Sequence, residues 1–192
     1  MDVRAFLAIP VPDATRQYLA DVARGLRPAV PDARFVAQEQ LHLTLHFFEA
    51  LDKAQIAAVR EAVDAATRVV APYSIVIGRG GVFPDIRRAR VLWLGVPVGE
   101  DETVRLAAAC GSALAARGLP VDPRPFRAHL TIARFREAGP PGVGRALERL
   151  SPVETDPFPV DGLVLFRSEL SPEGPIHTPL ERFALRGEGG VA

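Results

Sequence analysis

Leu41-His42-Leu43-Thr44-Leu45 and, 87 residues further on, Ala128-His129-Leu130-Thr131-Ile132 are two versions of one phrase. Each is an apolar run with a polar side chain at every second place, the pattern of a strand with one face buried. Alternation puts His42 and Thr44 on one side, and Leu41, Leu43 and Leu45 on the other. The second copy likewise puts His129 with Thr131, and Leu130 with Ile132. Each strand then buries its leucine face and turns a His-Thr pair outward. If a pseudo-twofold axis relates the two copies, the pairs face each other across one cleft.

The surroundings of the two copies follow a common plan. Residues 3–9 read as a strand, and Asp13 as the N-cap of a helix carrying Leu19, Val22 and Leu26. A short strand at 34–36 leads to the first motif strand, 41–48. Asp52 with Gln55 forms a capping box before Ile56, Val59, Val63, Ala66 and Val70, spaced as on a helix. Residues 73–77 read as a strand that ends in a loop at Gly78-Arg79-Gly80-Gly81. In the second half, a strand at 91–96 precedes an Ala-rich helix capped by Asp101, which runs to about Arg117 with Gly118 as its C-cap. A Pro-rich approach, 119–127, then leads to the second motif strand, 129–135. A short helix at 142–150 and a strand pair, 160–166 and 176–185, complete the chain. The plan is an α+β protein in which neighbouring strands pair antiparallel. With no interdomain linker, residues 1–192 form a single domain of two similar lobes. The first half runs to about residue 88, the second covers about 89–186, and 187–192 is a frayed tail.

Composition narrows the function classes. The 192 residues are 48% hydrophobic and 24% charged, a globular rather than a disordered profile. Twenty-three basic residues balance twenty-three acidic ones, which argues against a polybasic nucleic-acid binder. The balance hides a local stripe. Residues 117–136 hold Arg117, Arg124, Arg127, Arg134 and Arg136 against Asp122 alone, a local basic patch. Cys110, the single cysteine, excludes an intramolecular disulfide or a Cys-based zinc site. No apolar run approaches the roughly 20 residues of a membrane span, and the opening apolar stretch is too short for a signal peptide. These features describe a cytoplasmic protein with no membrane or protein partner, expected as a monomer and without a cofactor.

Two imidazoles on opposite sides of a phosphodiester can serve one in-line displacement, one as general base and the other as general acid. An unperturbed pKa near 6.5 allows imidazole either role near neutrality. Thr44 and Thr131 each offer a hydroxyl on the same face, suited to a non-bridging phosphate oxygen. A single His-x-Thr in a strand is ordinarily structural; a matched pair in matching halves is not. Strict alternation also puts His46 on the face of His42, an arrangement open to a metal, but no carboxylate- or Cys-rich segment accompanies it. The reading is therefore no metal, with His46 lining the cleft or bonding a neighbour. His177 reads as a loop or edge residue and Cys110 as core. Glu39 and Glu49 lie near His42 in sequence and would raise its pKa, while Arg124, Arg127, Arg134 and Arg136 would lower that of His129.

On these residues the chain resembles the RNA 2′,3′-cyclic phosphodiesterases, also called 2′-5′ RNA ligases, of the 2H phosphoesterase superfamily. The superfamily motif is His, a hydrophobic residue, Thr or Ser, and a hydrophobic residue, occurring twice. His42-Leu43-Thr44-Leu45 and His129-Leu130-Thr131-Ile132 both fit. The likeness extends to Arg4-Ala5-Phe6-Leu7-Ala8-Ile9, to Gly80-Gly81-Val82-Phe83-Pro84 with residues 91–96, and to Arg124-Pro125-Phe126 and Arg134. Glu49-Ala50 and Ala128 depart from the family's usual flanks. The resemblance implies a bilobal fold, with two antiparallel sheets flanking a central cleft and helices outside. It implies metal-independent opening of a ribose 2′,3′-cyclic phosphate, on RNA 3′ ends or small cyclic nucleotides, to a 2′-phosphate, with weak reverse 2′-5′ ligation. His42 would be the proton donor and His129 the proton acceptor, while Thr44, Thr131 and Arg134 would bind substrate. Strict alternation points Arg134 away from His129, so it joins them if the strand bulges or ends there. The competing readings are a relative acting on another cyclic phosphate, such as that of ADP-ribose, and a non-catalytic RNA end-binding protein.

Overall fold

The computed structural model of the chain describes residues 2–171 and 174–188. Strand β1 (Val3–Pro10) buries Ala5, Leu7 and Ile9 on one face, each at most 1% exposed. So apolar a strand needs neighbours on both edges. β3 (His42–Leu51) pairs with it on one side and β8 (Gly162–Ser171) on the other, with β9 (Gly174–Ala184) outside β8. The second sheet runs β2 (Arg34–Phe35), β6 (Leu130–Arg134), β5 (Val91–Val98), β4 (Tyr73–Phe83), β7 (Phe158–Val160). All named pairings are antiparallel. The helices are α1 (Asp13–Leu26), α2 (Lys53–Thr67), α3 (Glu100–Ala115) and α4 (Val143–Leu150). Helices α2 and α3 pack on each other and on β3, while α4 packs on β4 and α1.

The order β3-β1-β8-β9 in one sheet maps onto β6-β5-β4-β7 in the other, a motif strand leading each. The two lobes are therefore matched, but they do not divide near residue 88 as the sequence halves suggest. β8 and β9 return to the first sheet, and β2 and β4 belong to the second. The reason is the open edge of β1, which a late strand fills.

Local signals explain most element ends. Asp52 and Gln55 form the expected capping box, with bonds of 2.8 and 2.9 Å. Asp13 is not an N-cap: Pro12 holds that place, and Asp13 lies in the first turn beside Arg16. Asp101 is likewise inside its helix, with Glu100 and Glu102, where carboxylates suit the positive helix end. The cap is Gly99 at φ +81°, where a Cβ would lie 2.4 Å from the Ser74 carbonyl oxygen. The glycine segment 78–81, expected as a loop, is strand. Its glycines permit close approach rather than a turn: a Cβ on Gly81 would lie 2.2 Å from the Trp93 indole. At the end expected to fray, the Gly187 N–H donates to the Val70 carbonyl at 3.1 Å, while residues 189–192 lie outside the described residues. Among the described residues, no helix is long and apolar enough to cross a membrane.

Leu43 is fully buried beneath the first motif. Leu43→Ala should cost about 2–5 kcal/mol in denaturant unfolding, because the rigid sheet collapses little around the cavity.

Candidate active site

The register of β3 against β1 is broken once within the motif. Thr44 stands opposite Ala8 and His46 opposite Leu7, so Leu45 is the extra residue of a bulge. The register of β6 against β5 is broken at the corresponding place: Thr131 stands opposite Trp93 and Ala133 opposite Leu92, which leaves Ile132 extra. Both bulges follow directly on a His-x-Thr pair, and each resets the alternation behind it.

Their consequences decide which side chains meet. Beyond Leu45, His46 turns to the helix side, where its Nε2–H donates to the Ala107 carbonyl at 3.0 Å, and Phe47 takes the cleft face. The shared face of His42 and His46 expected from strict alternation therefore does not exist. Among the described residues, no group of three or more His, Cys, Asp or Glu gathers at one point. Beyond Ile132, Ala133 is buried and Arg134 swings into the cleft beside His129 and Thr131. His42, Thr44, His129, Thr131 and Arg134 all line one cleft of about 380 Å³. That volume suits a small-molecule ligand.

The two imidazoles are mounted alike. His42 Nδ1–H donates to the Gln40 carbonyl at 2.6 Å, and His129 Nδ1–H donates to the Arg127 carbonyl at 2.8 Å, each two residues back. Both bonds fix the tautomer in the neutral ring and leave Nε2 for chemistry. Their walls differ. The His42 ring stacks on Phe6, with centroids 4.5 Å apart, and Phe6 stacks on Phe166. His129 meets Phe83 edge-on at 4.9 Å and lies 6.2 Å from Trp93.

The electrostatics correct one expectation. His42 is pushed down to about 4, first by burial, then by His177 and by Arg134, against the Gln40 bond. Glu39 and Glu49 do not raise it, since both are exposed and neither lines the cleft. His129 is lowered, as expected, but burial is the larger cause and Arg134 the smaller. The arginine stripe is divided. Arg124 pairs with Asp122, Arg117 reaches toward Glu61 and the Ala113 carbonyl, and Arg134 enters the cleft. Cys110 is core, its thiol pushed up to about 12 by burial.

The cleft also recruits residues that the motifs did not indicate. Arg4 and Phe6 come from β1, Gln40 from the turn before β3, Ser168 and Leu170 from β8, and Pro175 and His177 from β9. Phe6 belongs to the apolar opening strand, which gave no hint of its place under His42. His177 is an edge-strand residue, as expected, yet it faces the site.

The model of the 2′-5′ RNA ligase superfamily matches residues 11–172. A curated RNA 2′,3′-cyclic phosphodiesterase of Methanothermobacter thermautotrophicus is 34% identical over 189 residues, which cover 96% of this chain and all of that one. Another, from Thermus thermophilus, is 32% identical over 98% of this chain and 93% of its own length. Among solved structures, TT0787 of Thermus thermophilus superposes with a TM-score of 0.80, covering 97% of this chain and all of that chain at 28% identity.

Because His42 is held below its ordinary value, the unfolded chain binds more protons there than the folded one. Stability from the neutral ring is complete above pH of about 6.5 and is lost as pH falls toward about 4. Imidazole NMR should place the His42 midpoint near 4, and Arg134→Gln should move it upward. His42→Gln should flatten the fall in unfolding free energy across that window.

Proposed function

We infer the activity from the family: this chain belongs to the 2′-5′ RNA ligase superfamily, and it hydrolyses ribose 2′,3′-cyclic phosphates. Its substrates are RNA 3′ ends or small cyclic nucleotides, opened to the 2′-phosphate. The observation that carries this reading is the convergence of two His-x-Thr pairs in one cleft, each imidazole anchored through Nδ1.

His129 Nε2 takes a proton from water as its oxygen attacks phosphorus. The P–O3′ bond breaks, and the electron pair leaving with O3′ accepts the proton held on His42 Nε2. The product carries a 2′-phosphate and a free 3′-hydroxyl, and proton exchange with solvent resets both rings. Thr44 and Thr131 donate to the non-bridging oxygens, while Arg134 offsets the charge growing on them in the transition state. Both proton transfers are served by side chains, so the reaction needs no metal. With a 5′-hydroxyl in place of water, the same displacement forms a 2′-5′ linkage, the weak ligation of this site.

The low pKa of His42 constrains this assignment. Near neutrality a half-buried imidazole beside Arg134 and His177 is neutral, so it acts as an acid once an anion accompanies it. The phosphodiester itself supplies that charge. The acid is loaded by its own substrate.

Single replacements His42→Ala and His129→Ala should each lower turnover of a 2′,3′-cyclic nucleotide about 10²–10⁴-fold. The double variant should fall far short of the product of the two losses. Chelators should leave the rate unchanged; a loss restored by zinc or manganese would overturn the two-histidine mechanism. A substrate with sulfur as the leaving atom, which departs without protonation, should rescue His42→Ala and leave His129→Ala impaired. The opposite pattern would exchange the roles.

A further inference from the structure

Among the described residues, His177 is the imidazole of the cleft that this mechanism does not use. It sits on β9, the edge strand of the first sheet, opposite Ser168 of β8. Its ring meets Phe6 edge-on at 4.7 Å and His42 at 5.4 Å between centroids. The mounting is shared: the Gln40 carbonyl holds His42, while the Gln40 side-chain amide donates to the carbonyl of Pro175 on β9. One residue thus ties the positions of two imidazoles.

The charges around it all have one sign. Arg4 of β1 and His42 of β3 lie on its own side of the cleft, and Arg134 of β6 and His129, just before that strand, complete its charged lining. Among the described residues, no carboxylate lines the cleft. On the same strands, Glu169 pairs with Arg167, and Glu181 pairs with Arg60 of α2. With three imidazoles and two guanidiniums in so small a volume, charge on one ring opposes charge on the next. Among the described residues none supplies a counter-charge inside the cleft, and a bound anion would supply one.

We propose that His177 is a further oxyanion-binding group of this site, neutral in the free cleft near neutrality and protonated when a tetrahedral anion enters. This rests on the phosphodiesterase reading and adds to it a preference among its ligands. The cyclic substrate carries one negative charge, whereas the 2′-phosphate product carries up to two near neutrality. A cation recruited by the second charge holds the product more tightly as pH falls toward about 6, where the phosphate begins to lose that charge. Burial, together with Arg4, keeps His177 below its ordinary value, which agrees with a neutral ring in the free protein. It is half-buried, whereas His42 lies deeper, so charging it costs less desolvation.

Sulfate tests this apart from turnover, because it is a tetrahedral dianion that takes up no proton itself near neutrality. Calorimetric titration at a pH of about 6.5, in two buffers of different ionisation enthalpy, counts the protons bound with it. The intact protein should take up protons with sulfate. His177→Phe should take up fewer and bind roughly tenfold more weakly, the size of one lost charge-assisted contact. His177→Lys, a standing cation, should restore the affinity without restoring the uptake. Equal affinity and uptake in His177→Phe would overturn the proposal, and so would weak binding by both variants with unchanged folding. Absence of sulfate binding by the intact protein would overturn it as well, while hydrolysis of cyclic phosphate would stand or fall on its own assay.

Discussion

A strand has two faces, and the burial of one fixes the other. Leu43 and Leu45 in the first lobe, and Leu130 and Ile132 in the second, are all at most 5% exposed. Removing these side chains from water stabilises the fold by about 1.5–3 kcal/mol each, far more than a surface histidine or threonine could oppose. Once that face is committed to the core, His42 with Thr44 and His129 with Thr131 are committed to the cleft. The polar groups of the cleft are placed by residues that do not line it. A slip of one residue in either register would bury the polar pair and expose the leucines, so the register is strongly specified.

The bulges add what simple alternation cannot. An extra residue after each His-x-Thr pair brings the residue five places beyond the histidine back to the cleft, Phe47 in one lobe and Arg134 in the other. It also turns His46 to α3, so the first motif strand presents one imidazole rather than two. A single backbone device, used twice, fixes how many titratable groups face the cleft.

What could be read from the sequence follows the range of each signal. Periodicity and capping are local, and they locate the motif strands, the capping box at Asp52 and the helix over Ile56, Val59, Val63 and Ala66. Duplication at a fixed spacing is also legible, and it identifies the pair of histidines. The bulges at Leu45 and Ile132 are not, because they depend on which strand lies alongside. The same holds for strand exchange between sheets, where β8 returns to β1 across more than a hundred residues. Charge is the least legible property of all. Glu39 and Glu49 are near His42 along the chain and face solvent, whereas His177 is far along the chain and meets its ring.

The two lobes repeat a backbone but not an electrostatic environment. Both imidazoles donate Nδ1–H to a carbonyl two residues back, so their tautomers and mounts correspond. The residue five places on does not correspond. Arg134 brings a guanidinium to the second lobe, whereas Phe47 brings a ring that lies under the Arg4 guanidinium at 4.7 Å. Beyond the motif strands the inequality grows, since β9 contributes His177 to the first lobe and the second has Phe83 and Trp93 in its wall. The displacement proposed for this cleft needs one imidazole with its proton and one without, and two identical sites could not provide that difference in a fixed direction. The duplicated strands supply two matched mounts, and on the proposed mechanism the departures from symmetry around them would have to separate the parts of the two rings.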